Sequence, residues 1–153
     1  MSYQNILVPL DGSMIARSAI AEAVKLAAPS KGRILLLSVV EMPPMQMEGY
    51  GEVLGTLDIQ ERLRAKYEAL LSAEAEGLRK TGHRADTLIR EGLAHEEIVA
   101  VCGEEGIDVV VMTTHGRTGI AHWIMGSVAE RVVRSAPCPV LIVRTRPEEG
   151  EKT

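Results

Sequence analysis

The chain has 153 residues, of which 46% are hydrophobic, 25% are charged and 3% are aromatic, and its formal net charge is −4. This length is enough for one domain whose core needs neither disulfides nor metals. The acidic balance argues against non-specific nucleic-acid binding, which requires a concentrated basic face. The N-terminus is polar and no apolar run approaches the roughly 20 residues of a membrane span, so we expect neither a signal peptide nor a membrane anchor.

The two cysteines, Cys102 and Cys138, are far apart in the sequence and form no C-x-x-C pair. We interpret both as reduced thiols of a cytoplasmic protein, and Cys138, which lies between two prolines, as a small packed residue. The four histidines show no metal-ligand spacing, so we predict no metal site.

The first third of the chain predicts a strand, a helix and a second strand. Residues 6–10 form a short apolar run, and Pro9, which cannot donate a hydrogen bond to a neighbouring strand, is expected at its end. The tripeptide Asp-Gly-Ser at 11–13 is typical of a turn that ends in a helix N-cap, and apolar residues recur at helical spacing over 15–27. Residues 33–40 are apolar at nearly every position, which is typical of a strand covered on both faces.

The middle of the chain predicts a long loop, a long helix and a strand. Residues 41–58 contain two consecutive prolines, three glycines and three methionines, and loops of this length are usually functional or mobile. Residues 59–80 alternate between charged and apolar side chains, as in a helix, and residues 85–90 predict a weaker strand. The helix residues expected to face inward are Leu63, Tyr67, Leu70, Leu71 and Leu78.

The last third predicts two more helices and two more strands. A helix is expected over 95–105 and another over 128–135, and the strongest strand pattern of the chain covers 108–113. A last strand is expected over 139–143, before a charged, flexible tail over 147–153. The helix residues expected to face inward are Ile98, Val99 and Cys102 in the first of these helices and Val128, Val132 and Val133 in the second.

Five strands that alternate with four helices predict an α/β fold, in which an open, doubly wound, five-stranded parallel sheet has helices on both faces. Right-handed crossovers and short connections favour the strand order 3-2-1-4-5. Strands 1 and 4 are then neighbours at the topological switch point, where ligands bind beyond the carboxyl ends of the strands. We expect a single domain over 1–146.

Residues around this switch point predict a site for a small phosphate-bearing ligand. The strand over 108–113 runs into a loop that contains Gly116, and Gly126-Ser127 opens the next helix. This layout directs backbone N–H groups at an anion, and both glycines allow a close approach to phosphate. Ser127 is expected to be the N-cap, with its hydroxyl available to a backbone N–H or a phosphate oxygen. Asp11 is expected to accept hydrogen bonds from ribose or adenine.

These residues also have a simpler interpretation that involves no ligand, since Gly-Ser is a common helix start and Asp-Gly-Ser is a common turn. Competing motifs do not fit: Gly126-Ser127 lacks the lysine of a P-loop, and the first turn lacks the glycines of a dinucleotide-binding loop. Residues 116–119 match the G-x-x-G of RNA-binding KH domains, but here they follow a strand in an acidic chain. His95-Glu96 lacks the second histidine of H-E-x-x-H. No set of nucleophile, base and orienting residue can be assembled, so no catalytic residue is predicted.

At this level of detail the chain resembles the universal stress protein family, over residues 5–13, 92–99 and 108–144. ATP-binding members of that family carry G-x-x-G, nine residues and then G-S or G-T. Here Gly116 is followed by nine residues and then Gly-Ser, while the first glycine of the pattern is replaced by Thr113. A threonine at a strand end is compatible with binding if its φ angle stays negative.

The resemblance implies a Rossmann-like fold of the nucleotide-binding α-hydrolase type and an ATP site, with magnesium accompanying the nucleotide. In that site Asp11 would contact ribose or adenine, Val39 would pack on the adenine, and Met112 and Thr113 would line the ribose side. The residues implied to hold the phosphates are Gly116, Gly126, Ser127 and Val128. The full set of predicted cofactor-binding residues is Pro9, Asp11, Val39, Met112, Thr113, Gly116, Gly126, Ser127 and Val128.

The family's usual homodimer implies pairing through the last strand, whose apolar edge otherwise invites aggregation. The residues of that edge are Val140, Leu141, Ile142 and Val143. We expect a regulatory, nucleotide-binding protein of the stress response with little turnover, whose ATP state an unidentified protein partner reads through residues 41–58. The alternatives are a slow ATPase or autophosphorylating enzyme, with Ser127 as an acceptor, and a nucleotide-free dimeric scaffold, which Thr113 permits.

Overall fold

Short apolar segments alternate with amphipathic ones and fold into five strands and four helices in the computed structural model, which describes residues 2–41, 50–114 and 125–144. The elements in chain order are β1 (Asn5–Pro9), α1 (Met14–Ala27), β2 (Arg33–Glu41), α2 (Tyr50–Lys80), β3 (Arg84–Gly92), α3 (Ala94–Glu104), β4 (Val109–Thr113), α4 (Ser127–Ser135) and β5 (Val140–Val143). Apart from the start of α2, each boundary lies within two residues of its predicted position.

The five strands form one parallel sheet in the order β3-β2-β1-β4-β5, which confirms the predicted order. The central strand β1 pairs with β2 on one side and, through Ile6 and Val109, with β4 on the other. The Asp108 carboxylate extends the junction of β1 with β4, because its Oδ2 accepts hydrogen bonds from the backbone N–H groups of Gln4 and Asn5, at 2.8 Å each. The position of β1 therefore depends on segments from both halves of the chain.

Alternating side chains of the strands supply two hydrophobic cores, one on each face of the sheet. Ile6 and Val8 of β1 pack with buried residues of α1 and α2, whereas Leu7 packs with those of α3 and α4, and all three are fully buried. The buried stripe of α1 recurs at helical spacing and consists of Ala16, Ala19, Ile20, Ala23 and Ala27. Helices therefore cover both faces, which confirms the predicted α/β architecture and explains why the central strands are apolar at nearly every position.

Residues 50–58, which the sequence predicts as part of a loop, are helical in the structure, so that α2 begins at Tyr50 and has 31 residues. The glycines at 51 and 55 favour a loop, but a glycine within a helix costs only about 1 kcal/mol relative to alanine. Once the packed part of α2 has formed, each added residue gains a backbone hydrogen bond, so the helix extends through both positions. The predicted loop over 41–58 is therefore wrong for 50–58, and residues 42–49 lie outside the described residues.

Three of the residues predicted to face inward in α3 and α4 do not belong to the buried stripes of these helices. Val99 of α3 and Val128 of α4 are only half-buried, and Val133 of α4 is 45% exposed. Successive residues of a helix are turned by about 100° from each other, and Val99, Val128 and Val133, each next to a buried residue, are turned out of the stripe. The buried stripes are Ile98, Val101 and Cys102 in α3 and Ala129 and Val132 in α4.

Two further predictions concern the chain as a whole. The helices that the structure describes lack the combination of length and apolar character that a membrane span requires. The charged tail predicted over 147–153, and with it the predicted domain boundary at residue 146, lies outside the described residues.

Replacing Leu71 with alanine is expected to destabilise the protein by about 2–5 kcal/mol, because this side chain is 1% exposed in the core between α2 and the sheet. Leu57 of the same helix is 49% exposed, and its replacement with alanine is expected to change the free energy of unfolding by at most about 0.5 kcal/mol. Urea unfolding followed by circular dichroism measures both variants. Equal losses would contradict the described packing of α2 on the sheet.

Candidate functional site

A cleft of about 400 Å³ opens beyond the carboxyl ends of β1 and β4. The connections that leave these two strands lead to helices on opposite faces of the sheet, so the chain diverges and leaves the crevice of a topological switch point. Eight of the nine predicted cofactor-binding residues line this cleft, namely Pro9, Asp11, Val39, Met112, Thr113, Gly126, Ser127 and Val128. The ninth, Gly116, lies outside the described residues.

The Asp11 carboxylate is held at the cleft wall by the turn that begins α1. Its Oδ1 accepts hydrogen bonds from the backbone N–H of Ser13 at 2.9 Å and from the Ser13 hydroxyl at 2.6 Å. The same hydroxyl accepts a hydrogen bond from the N–H of Ala16 at 3.1 Å and so caps α1. Gly12 has a φ angle of +85°, which glycine adopts without strain. The predicted turn and N-cap are confirmed, and together they orient the carboxylate.

Tyr67 of α2 supports this turn, although the sequence predicts only a core position for it. Its side chain is 3% exposed, and its hydroxyl donates to the backbone carbonyl of Asp11 at 3.4 Å. A Cβ at position 12 would lie 3.4 Å from Cε1 of the ring, so the ring packs against the bare backbone of Gly12. Leu63, one helical turn earlier, lines the same cleft. The i, i+4 spacing of these two inward-facing residues is the sequence signal that α2 contributes to the site.

The carboxyl end of β2 forms an apolar wall that ends in an acidic residue. Leu37 is buried, Val39 is half-buried, and the exposed Glu41 is the last residue of the strand. Two hydrogen bonds of 2.7 Å tie the connection after β1 to this strand: the N–H of Leu10 donates to the carbonyl of Leu37, and the Ser38 hydroxyl donates to the carbonyl of Leu10. The apolar surface of Val39 is therefore fixed relative to the turn before α1.

The end of β4 forms the neighbouring part of the wall. Met112 is 6% exposed and Thr113 is 8% exposed, and Thr113 still pairs with Val143 of β5. Within the described residues, a positive φ angle outside glycine occurs at Lys31 and not at Thr113. The backbone conformation that makes a threonine acceptable in place of the first glycine is therefore present.

Gly126 is required for a reason that the sequence does not reveal. Its N–H donates to the carbonyl oxygen of Thr114 at 2.7 Å, and a Cβ at this position would lie 2.8 Å from that oxygen, closer than real Cβ atoms come. The glycine therefore lets the start of α4 approach the end of β4. Since its own N–H is used in this contact, that group is not available to a phosphate.

The prediction that Ser127 is the N-cap of α4 is wrong, because the helix begins at Ser127 and the cap position belongs to Gly126. The contact with Thr114 fixes the extended backbone at Gly126, with φ −58° and ψ 154°, which overrides the capping preference of serine. The first intrahelical hydrogen bond runs from the N–H of Glu130 to the carbonyl of Gly126 at 3.0 Å. The N–H groups of Ser127, Val128 and Ala129 therefore have no acceptor within the helix, and all three residues line the cleft.

The electrostatics of the cleft follow from these parts. The charged side chains on the described part of its wall are Asp11 and Glu41, which are both acidic. On this described part of the wall, the feature that attracts an anion is the N-terminus of α4, where N–H groups without an acceptor in the helix coincide with the positive end of the helix dipole. In the three described ranges, no group of three or more His, Cys, Asp and Glu side chains is placed to hold a metal ion.

The sheet order, the cleft and the helix N-terminus beside it define a doubly wound α/β protein with a ligand cleft at its topological switch point. The model of the universal stress protein family matches residues 2–144. The chain belongs to the universal stress protein family, as the motifs predict.

Known members show the extent of the similarity. A universal stress protein of Methanocaldococcus jannaschii is 32% identical over 150 residues, which cover 96% of this chain and 85% of that protein. The solved structure of universal stress protein UspA from Lactobacillus plantarum shares the fold, with a TM-score of 0.85 at 24% identity over 94% of this chain and 99% of that one. A universal stress protein solved in complex with cAMP gives a TM-score of 0.70 at 25% identity, over 95% of this chain and 100% of that one.

Replacing Gly126 with alanine is expected to destabilise the protein by about 1–3 kcal/mol, because the added methyl group collides with the Thr114 carbonyl. The control is Gly77→Ala in α2, where a Cβ meets no atom within 4 Å and is expected to stabilise by about 0.5–1 kcal/mol. Urea unfolding curves of the two variants give the comparison. If Gly126→Ala were as stable as the control, the close approach of α4 to the end of β4 would not contribute to the free energy of unfolding.

Proposed function

We propose that this chain is an ATP-binding regulatory protein of the stress response. The observation that carries the proposal is the cleft at the switch point, lined both by the Asp11 carboxylate and by the start of α4, whose first N–H groups have no acceptor within the helix. A nucleotide complements both, because its ribose hydroxyls donate hydrogen bonds and its phosphates are anions. The structurally similar universal stress protein that was solved with cAMP supports an adenine nucleotide as the class of ligand.

The base and the sugar are assigned to the half of the cleft formed by β1, β2 and the end of β4. In this arrangement Asp11 accepts hydrogen bonds from the ribose hydroxyls or from adenine. Val39, which is half-buried, packs on the adenine face, and Pro9 contributes apolar surface from the end of β1. Met112 and Thr113 border the ribose. The apolar character of this half suits a planar base, which is bound largely through its faces.

The phosphates are assigned to the N-terminus of α4. The N–H groups of Ser127 and Val128 donate to phosphate oxygens, and the Ser127 hydroxyl, exposed at the first position of the helix, adds another donor. Gly126 acts by letting α4 approach β4, since its N–H is bonded to Thr114. Gly116 is assigned to the same phosphates. We expect magnesium to arrive with the nucleotide, because the described wall carries no basic side chain that would neutralise the phosphate charge.

We expect little or no turnover of the bound ATP. On the described part of the wall, Asp11 is engaged by Ser13, and Glu41 belongs to the strand that we assign to the base rather than to the phosphates. Neither carboxylate is therefore a suitable general base for a water that attacks the terminal phosphate, which has to lie within hydrogen-bond reach of that base. The protein then acts through its nucleotide-bound state, read in the cytoplasm by an unidentified partner through residues 41–58.

The nucleotide that co-purifies with the protein distinguishes this proposal from its alternatives. Near-stoichiometric ATP, identified on a nucleotide column after denaturation, is the expected result. ADP in its place would favour the slow ATPase. An empty protein that also fails to bind added ATP in calorimetry would overturn the proposal in favour of a nucleotide-free scaffold.

Replacing Asp11 with asparagine is expected to weaken ATP binding by about tenfold or more, because a charged hydrogen-bond acceptor for the nucleotide is lost. Asparagine keeps one acceptor oxygen for Ser13, so the turn before α1 is expected to persist. The matched control is Asp86→Asn on β3, whose carboxylate pairs with Arg33 at 3.5 Å and does not line the cleft. Calorimetric titration with Mg-ATP measures the affinities, and equal affinities in the two variants would exclude the assigned role of Asp11.

We also propose that the protein forms a two-fold symmetric homodimer through β5. This strand lies at one edge of the sheet and consists of Val140 to Val143, with Leu141 39% exposed. The other edge strand, β3, carries four charged residues among its exposed and half-buried positions, which protect an edge against pairing. Val133 of α4, 45% exposed, adds a second exposed apolar side chain in the element that precedes β5.

Replacing Leu141 with lysine is expected to shift the dimer toward monomer by at least about tenfold in the dissociation constant, since two-fold symmetry places a new charge on each side of the interface. Leu93→Lys is the matched control, because Leu93 is 50% exposed at the start of α3 and away from β5. Light scattering coupled to size-exclusion chromatography reports the mass. A wild-type protein that is monomeric at micromolar concentration would overturn the assignment.

A further inference from the structure

Cys102 and Cys138 are far apart in the sequence but lie together in the fold. Cys102, in the last turn of α3, is 2% exposed and belongs to the core between the sheet, α3 and α4. Cys138, two residues before β5, is half-buried and packs against the same core. Both thiols are free, both pack in this one core, and each is close enough to alter the pKa of the other. The end of α3 and the start of β5 lie at the amino ends of the strands, whereas the cleft lies at their carboxyl ends. The pair is therefore separate from the proposed nucleotide site.

The surroundings make the two sulfur atoms unequal. Burial, together with the neighbouring Cys138, raises the pKa of the Cys102 thiol to about 12. Burial and the Asp108 carboxylate also raise the pKa of Cys138, but the neighbouring Cys102 thiol acts in the opposite direction. Cys138 is therefore the first of the two to form a thiolate. It is also the one that solvent reaches, since Cys102 is almost fully covered.

We infer that Cys102 and Cys138 form an oxidisable thiol pair, which closes to an intramolecular disulfide when hydrogen peroxide reaches Cys138. The inference stands on two free thiols from different elements that pack in the same core, one partly accessible and the other covered. An accessible thiol alone would be oxidised progressively to acids. A second thiol within reach intercepts the first oxidation product, which is the arrangement present here.

The chemistry needs one equivalent of peroxide and no metal or cofactor. The Cys138 thiolate attacks one oxygen of hydrogen peroxide, the O–O bond breaks, and the departing hydroxide takes up the proton that the thiol has lost to form water. Cys138 is then a sulfenic acid. The Cys102 sulfur attacks the sulfenic sulfur, an S–S bond forms, the S–O bond breaks, and the hydroxyl group leaves as water with the Cys102 proton. The two thiols lose two electrons and two protons, and peroxide is reduced to two molecules of water.

The disulfide would connect α3 to the segment before β5 and close a chain loop that contains β4 and α4. Such a cross-link restricts the unfolded chain more than the folded one and so favours the folded state. Since neither cysteine lines the cleft, the affinity for a nucleotide is expected to be the same in the oxidised and the reduced protein. The disulfide would thus be a reversible cross-link in the half of the sheet that carries the proposed phosphate site.

The test is to treat the reduced, full-length protein with hydrogen peroxide without denaturant and to follow its intact mass. We expect a loss of two hydrogen atoms, a peptide in which Cys102 is linked to Cys138, and reversal by dithiothreitol. The rate is expected to rise by up to about tenfold per pH unit above neutrality, because the thiolate is the reacting form. The oxidised protein is expected to melt roughly 5–10 °C higher than the reduced one.

Two single variants separate the roles of the sulfurs. In Cys102→Ala the oxidised form of Cys138 is expected to persist as sulfenic acid, which a dimedone reagent captures, and then to proceed to sulfinic acid. In Cys138→Ser, Cys102 is expected to remain a thiol for at least about tenfold longer, because it is buried. Circular dichroism and urea unfolding establish that both variants fold.

Three outcomes would overturn the inference. One is a wild-type protein whose Cys138 accumulates sulfinic acid as fast as in Cys102→Ala, since Cys102 would then not react with the sulfenic acid of Cys138. Another is a wild-type protein that forms only disulfides between two chains. The third is a protein in which neither thiol reacts under conditions that oxidise both in the urea-unfolded chain. None of these outcomes bears on ATP binding, because the two sites are independent.

Discussion

The burial of β1 is the constraint on which the rest of this molecule depends. Ile6, Leu7 and Val8 are fully buried, because β1 has a parallel neighbour on each side and a helical layer on each face. A strand placed in this way has no surface left for function except its carboxyl end. The helices that follow β1 and β4 lie on opposite faces, so their chains separate at that end and leave the cleft there.

The cleft is shaped by backbone contacts more than by charged side chains. Gly126 approaches the carbonyl of Thr114, the ring of Tyr67 lies against Gly12, and the carboxylate of Asp11 is held by Ser13. Each contact fixes the position of a turn or a helix start relative to a strand end. A site of this kind offers a ligand preorganised N–H groups, which are in place before binding and need no side-chain ordering.

The strand order and most of the described cleft could be predicted from the sequence, because apolar runs, turn residues and crossover handedness act locally and point to the same fold. The start of α2 could not, since the cost of two helical glycines is small beside the gain from extending a packed helix. The N-cap of α4 could not either, because a contact with Thr114, twelve residues earlier, decides it. Tyr67 is a buried core residue, as its helical spacing predicts. Its second role, the support of the Asp11 turn through the tyrosine hydroxyl, depends on a tertiary contact that the sequence does not show.

The junction of β1 with β4 also sets when the cleft can exist during synthesis. Val109 pairs with Ile6, and Asp108 binds the backbone of Gln4 and Asn5, so residues about one hundred positions apart must meet. Contacts of such long sequence separation form late and slowly, since a long loop has to close before they contribute. A nascent chain that has completed β1, β2 and β3 has one wall of the cleft and lacks the other. A ligand of the cleft would therefore bind only after β4 and α4 have joined the sheet, and it would stabilise only the state in which both walls have met.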